Sequence, residues 1–201
     1  MTRMNIREIP QTISLAAKLG ADEVVIRNLD YLPEERWNIL RTFHHEPPTP
    51  AFQGNIDETH RLGKKMGILV TNYPLKAEEV PVCEPNPPRN VFFSVDGSVA
   101  PCMYLRLPKE GDIPRTFLNG RYTVPQTSFG NINEEDFGEV WNKEAYKNFR
   151  KIFEDRSQAS VDMMQILDAV SQGNLLAAEK ETPSPPPLSP LCRTCYKAYG
   201  I

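Results

Sequence analysis

Four cysteines, Cys83, Cys102, Cys192 and Cys195, carry the most distinctive chemistry in this chain. Cys192-Arg193-Thr194-Cys195 is a Cys-x2-Cys pair, a spacing that lets two thiolates bind one ion or cluster from a single turn of backbone. Cys83 and Cys102 flank Asp96-Gly97, a dipeptide that favours a tight hairpin because glycine takes the positive φ such turns require. Cys83 lies 13 residues before Asp96 and Cys102 five after Gly97. Antiparallel pairing of these unequal arms brings the two cysteines closer, with Pro101 ending the second arm. Two pairs then make four thiolates. A structural zinc ion and an iron–sulfur cluster are equivalent in ligand count, and residue spacing does not separate them. A thioredoxin-like redox pair fits less well, because Cys192 follows a proline-rich segment instead of opening a helix after a strand. Unrelated buried cysteines are the remaining alternative.

The chain of 201 residues is 40% hydrophobic and 24% charged, with 23 basic and 26 acidic residues mixed along it. That balance asks neither for nucleic acid nor for an acidic membrane surface. No apolar stretch approaches the roughly 20 residues that span a bilayer, and the first residues lack the apolar core of a signal peptide. A cytoplasmic protein is expected, in which thiols stay reduced and ligation or catalysis is their default use. The 19 prolines exceed the ~5% of ordinary proteins, and they cluster at 47–50, 81–88 and 183–190.

The elements that must position the cysteines follow from periodicity. Ile9, Ile13, Ala16, Ala17 and Leu19 recur at helical spacing before Gly20, and the apolar run 23–26 reads as a buried strand. Residues 55–66 predict a second helix and 67–71 a second strand. Two helix–strand units in succession point to an α/β layer or barrel, and two strands are too few to close one. Residues 91–95 and 98–100 predict the Asp96-Gly97 hairpin. A long polar connection is expected over 105–127, a helix over 134–141 opened by Glu134 and Glu135, and another over 143–155. On the latter, Tyr146, Phe149, Ile152 and Phe153 form an aromatic and aliphatic stripe read as core. A further helix is expected over 161–179, followed by an extended spacer over 182–190 that leads to Cys192.

These residues carry a resemblance. Cys83-x13-Gly97-x4-Cys102, within it VFFSVDGSVAPCMYL, is similar to the opening of the SPASM and twitch extensions of radical S-adenosylmethionine enzymes. FGNINEEDFGEVWNKEAYKNFR (129–150), with Asn131 and Trp141 in place, resembles the stretch that follows, and Cys192 and Cys195 match the closing pair. MNIREIPQTISLAAKLGADEVVIRNLDYL is similar to a helix and strand late in the radical enzyme's barrel. The resemblance implies an α/β fold: the last helix–strand units of a partial (β/α) barrel over 1–78, then a small α+β SPASM/twitch-like domain with a β-hairpin and helices over 79–201. It implies one auxiliary 4Fe-4S cluster ligated by Cys83, Cys102, Cys192 and Cys195, with zinc as the alternative occupant. Four-cysteine coordination favours electron transfer, in peptide modification or cofactor maturation, over direct substrate ligation.

The Cys-x3-Cys-x2-Cys motif that holds the S-adenosylmethionine-cleaving cluster in that family does not occur here, so no catalytic residue is assigned and S-adenosylmethionine belongs only to a full-length enzyme. The chain reads as part of a larger fold. Its expected partners are a peptide or small-molecule substrate and an electron-donor protein, with no nucleic acid and no membrane. A rival reading is a non-enzymatic zinc module that staples a proline-rich scaffold. His44, His45 and His60 are expected at the solvated surface. Arg27 and Asn28, after the first strand, occupy the end where barrel enzymes bind ligands.

Overall fold

The structure, a computed structural model, describes residues 1–173 and 184–201. Residues 174–179 of the expected helix and 182–183 of the expected spacer lie outside the described residues. Two compact units divide the chain: one of residues 1–79, 114–123 and 194–201, the other of residues 80–113 and 124–193.

In the first unit, helix α1 (Ile9–Lys18) leads through Gly20, at φ 77, into strand β1 (Glu23–Ile26). Helix α2 (Pro50–Met66) leads into β2 (Leu69–Asn72). It begins five residues before the expected start, because Pro50 sits in its first turn, where a fixed φ and a missing N–H cost nothing. Gly67, expected within the strand, instead ends the helix at φ 73, with Lys64 and Lys65 in the last turn. That is the usual left-handed stop, with cations placed against the negative helix end. β1 and β2 pair in parallel, Glu23 opposite Leu69 and Ile26 opposite Asn72. Gly63 admits this packing, since a Cβ there would meet Val70 Cγ2 at 2.4 Å. The helix–strand rhythm expected from the sequence is therefore present as a mixed α/β arrangement.

The expected polar connection over 105–127 contains a hairpin instead. β5 (Ile113–Phe117) pairs with β6 (Gly120–Val124), and Leu118 holds φ 55 at the turn. Arg115, Thr116 and Phe117 are all buried, so the alternation that marks a half-buried strand is absent, and Pro114 masks it further. Phe117 joins Leu32, Phe43, Ala77, Tyr196 and Ile201 in the core of this unit, while Ile6, Ile56 and Leu75 form a second cluster.

In the second unit, β3 (Phe92–Phe93) and β4 (Ser98–Ala100) form the expected antiparallel hairpin, and β7 (Gly130–Asn131) pairs with the other edge of β4. The turn is longer than the two residues expected. Phe93 faces Val99, Ser94 N–H bonds to Ser98 O, and Gly97 N–H closes on Ser94 O with Gly97 at φ 82. This is the three-residue loop that ends in a left-handed glycine. Helix α3 (Phe137–Asn142) starts behind Asp136, whose carboxylate accepts the Gly138 N–H at 2.7 Å, a standard N-cap.

Helix α4 (Glu144–Ser171) runs 28 residues without the break expected near 155–161. The polar run Glu154-Asp155-Arg156-Ser157-Gln158 reads as a boundary by composition, yet Arg156 lies on the buried face between Phe153 and Ala159. The stripe of Tyr146, Phe149 and Phe153 is core, as expected, at 0%, 6% and 0% exposure. Burial of each such ring is worth roughly 1.5–3 kcal/mol. Val99, Val140 and Tyr146 make the centre of this core, with Val91, Phe129 and Trp141 packed against it. Among the described residues no helix is long and apolar enough to cross a membrane.

Candidate metal centre

Cys102 follows β4 by two residues and opens a short 3-10 turn, Met103–Leu105, with its backbone fully extended (φ −166, ψ 163). The β4 strand is therefore the arm that delivers it. Val99 and Ala100 on that strand are completely buried, which fixes the register of the residues that follow. The turn at the far end of β4 is held equally firmly. Asn131 and Asn133 both donate side-chain N–H bonds to Asp96 O, at 2.8 and 3.2 Å. Asp96 in turn accepts from Ser98 N–H and pairs with Arg106, which together hold its carboxyl well below the usual range.

Cys83 and Cys192 sit in irregular segments that share one anchor. The buried Arg156 guanidinium on α4 donates to Val80 O and Pro81 O, both at 3.1 Å, and to Pro186 O. It thus ties the segment entering Cys83 and the segment entering Cys192 to one helix. Beyond Cys83 the chain turns at once: Cys83 O accepts Asn86 N–H at 2.9 Å, and Asn86 adopts φ 49. Cys192 N–H bonds to Ser189 O at 2.8 Å, and Arg193 Nε bonds to Leu188 O at 3.1 Å. Both cysteines are nearly closed to solvent.

Cys195 belongs to the first unit. Burial pushes its thiol pKa up, while Arg115 and hydrogen bonds from the Lys197 and Ala198 backbone N–H groups act in the opposite sense. Such donors favour the thiolate that a metal requires and tune a cluster's potential. Tyr196, beside it, accepts from Arg41 Nη1 at 2.5 Å and Leu118 N–H at 2.8 Å. Lys197, almost wholly buried, pairs with Asp30 at 2.8 Å.

All four cysteines are thiols, none in a disulfide. Among the described residues no three His, Cys, Asp or Glu side chains stand close enough to form a metal-holding group. The donor chemistry nevertheless suits an iron–sulfur cluster: four reduced, partly or fully buried thiols, one already facing backbone N–H donors.

Other residues singled out by sequence fall differently. Asn28 is structural, its amide donating to Pro74 O at 2.8 Å and accepting from Thr42 Oγ1 at 3.2 Å. Arg27 lies over the Tyr73 ring. His44 and His45 are half-buried, not solvated: His45 packs edge-on against Phe117 and Tyr199, and burial lowers its pKa. His60 is exposed beside Asn72, as expected. Arg150 and Arg156 are buried on α4 although nothing in their own residue type marks them as core. Both fall on the helical stripe that runs through Tyr146, Phe149 and Phe153, but an arginine reads as a surface residue by type, and only its packing shows it buried.

The tungsten-containing aldehyde ferredoxin oxidoreductase cofactor-modifying protein of Pyrococcus furiosus (strain ATCC 43587 / DSM 3638 / JCM 8422 / Vc1) is 26% identical over 155 residues. The match covers 76% of this chain and 40% of that protein, so the chain spans well under half the length of the relative. The sequence model of the SPASM iron–sulfur cluster-binding domain matches residues 83–196, from the first cysteine to the residue after the last. With more than half its length inside that match, the chain belongs to the SPASM family of iron–sulfur cluster-binding domains.

Proposed function

We propose that Cys83, Cys102, Cys192 and Cys195 together ligate one 4Fe-4S cluster, auxiliary to a radical S-adenosylmethionine centre. In this reading the cluster carries electrons during modification of a peptide or protein, or during maturation of a cofactor. The observation that carries the reading is the family match, whose bounds enclose all four thiols. The name of the Pyrococcus relative, a cofactor-modifying protein, favours the maturation branch. Reduced thiols suit the cytoplasm, and the partners would be an electron-donor protein and the substrate.

A bound cluster supplies a one-electron carrier whose potential follows its charge, its hydrogen bonds and its exposure. The protein's own part is to hold and shield the ligands. Arg156 fixes the entries to Cys83 and Cys192, β4 fixes Cys102, and backbone N–H groups favour the thiolate of Cys195. The parallel pair of β1 and β2 belongs to the same proposal as the last strands of a partial barrel over 1–78, with the cluster domain over 79–201. Parallel sheets are normally covered on both faces, yet Val25 and Leu69 are 48% and 62% exposed here, as strands awaiting further layers would be.

Anaerobic reconstitution tests the proposal. A brown protein with broad absorption near ~400 nm and about four iron and four sulfide per chain is expected. A colourless protein with one zinc overturns it. Cys102→Ser is expected to abolish cluster assembly, and unchanged iron in that variant overturns the ligand set.

A further inference from the structure

The second unit holds a cleft of about 380 Å³ between the segment 82–89 and helix α4. Glu154 and Ser157 line it from the helix, one turn apart and so on one face. Asn86 and Arg89 line it from the facing segment, where Val82 and Pro88, both half-buried, add apolar surface. The walls are fixed before any ligand arrives. Asn86 O accepts the Arg89 and Asn90 N–H groups, both at 2.9 Å, and the Asn90 amide donates to Pro85 O at 3.0 Å. Arg156 ties Val80 and Pro81, at the entry to this segment, to α4 itself. A rigid cleft spares a ligand the ordering cost that a mobile one imposes. Among the described residues the side chains of Asn86, Arg89, Glu154 and Ser157 make no hydrogen bond or ion pair. Lys151, whose charge acts on Glu154, is itself paired with Asp155 at 2.7 Å. Arg89 and Glu154 thus offer one charge of each sign from opposite walls, without pairing to each other.

We propose that this cleft binds a free α-amino acid with an apolar side chain, its carboxylate on Arg89, its ammonium on Glu154 and its side chain against Val82 and Pro88. A guanidinium suits a carboxylate because its N–H groups donate in parallel pairs. Asn86 and Ser157 supply further polar contacts. The volume stands at the small end of the roughly 300–1,000 Å³ of ligand pockets, which matches a single amino acid. A phosphate would meet the Glu154 carboxylate and a polyamine the Arg89 guanidinium, so a ligand of strong net charge is rejected by one wall or the other. The inference goes beyond the cluster reading and does not depend on it.

Isothermal titration calorimetry of L-phenylalanine into the full, anaerobically reconstituted chain tests this. A dissociation constant of about 1 mM or tighter is expected. N-acetyl-L-phenylalanine, L-phenylalanine amide and glycine each lack one of the three contacts, and each should bind about tenfold more weakly or worse. Arg89→Gln should weaken L-phenylalanine by a similar factor while leaving the amide unchanged, and Glu154→Gln should do so while leaving the N-acetyl compound unchanged. Ser157→Trp, which fills the cleft from an exposed helix position, should abolish binding. All three side chains are exposed, so the variants should unfold at the wild-type temperature, and the ligand series on wild type decides without them. No heat at ~10 mM L-phenylalanine overturns the inference, as does equal binding of L-phenylalanine, its amide and its N-acetyl form. Both results leave the cluster reading standing. A protein that takes up no iron overturns the cluster reading alone, and the same titration on that protein still decides the cleft.

Discussion

Replacement of Gly97 by alanine should damage the hairpin that delivers Cys102 by two separable mechanisms. Gly97 holds φ +82, a left-handed conformation that costs an L-residue about 1–2 kcal/mol. A Cβ there would also stand 2.3 Å from both Asn131 Oδ1 and Asn133 Nδ2, so both asparagines must move. Their bonds to Asp96 O would then weaken or break, at roughly 0.5–1.5 kcal/mol each. The sum is about 2–5 kcal/mol. Gly111 provides the control within the same unit, since it holds φ +67 with nothing within 4 Å of an added Cβ, so Gly111→Ala should cost about 1–2 kcal/mol through its backbone alone. Urea denaturation of both variants measures the difference, read from midpoints at unchanged slope. Equal losses in the two variants would refute the argument that the asparagines close on the turn, and a Gly97→Ala loss below about 0.5 kcal/mol would refute the backbone argument as well.

Three further outcomes follow from the same structure. Arg156→Met strands the carbonyls of Val80, Pro81 and Pro186, at about 1–3 kcal/mol for each group left unpaired. A loss of at least ~3 kcal/mol is therefore expected in denaturant, together with reduced iron uptake, and a loss below ~1 kcal/mol would show that Arg156 is not the anchor. Tyr196→Phe removes the acceptor shared by Arg41 and the Leu118 N–H, so a loss of roughly 2–4 kcal/mol in the thermal unfolding of the whole chain is expected. Lys143 holds the Glu135 carboxyl below its ordinary value of 4.5. A depressed carboxylate stabilises the fold above its unfolded pKa and loses that contribution as pH falls through the folded one. The stability gap between wild type and Glu135→Gln should accordingly be constant near neutrality and close below pH 4.5; a gap that widens in acid would reverse the assignment.

Local signals made part of this architecture readable. Glu23–Ile26 is a strand at the residues expected, because a short β-branched run between a helix stop and a turn has few alternatives. The Asp96-Gly97 turn and the aromatic stripe of α4 follow from glycine's freedom and from helical periodicity. The β5 and β6 hairpin was hidden because Arg115 and Thr116 are buried beside Phe117, so its pattern reports packing from more than one side instead of a period of two. The continuity of α4 was hidden for a related reason. Arg156 looks like a surface residue until Val80, Pro81 and Pro186 converge on it from 76, 75 and 30 residues away.

The number and spacing of the cysteines, with the phrases around Gly97 and 129–150, were enough to identify a SPASM-type iron–sulfur domain, because thiolate ligation and hairpin turns are written in contiguous residues. What holds the segments entering Cys83 and Cys192 in place, only the tertiary structure decided. A hydrogen bond between residues far apart in the chain, or the lack of one at a buried atom, leaves no local periodic mark.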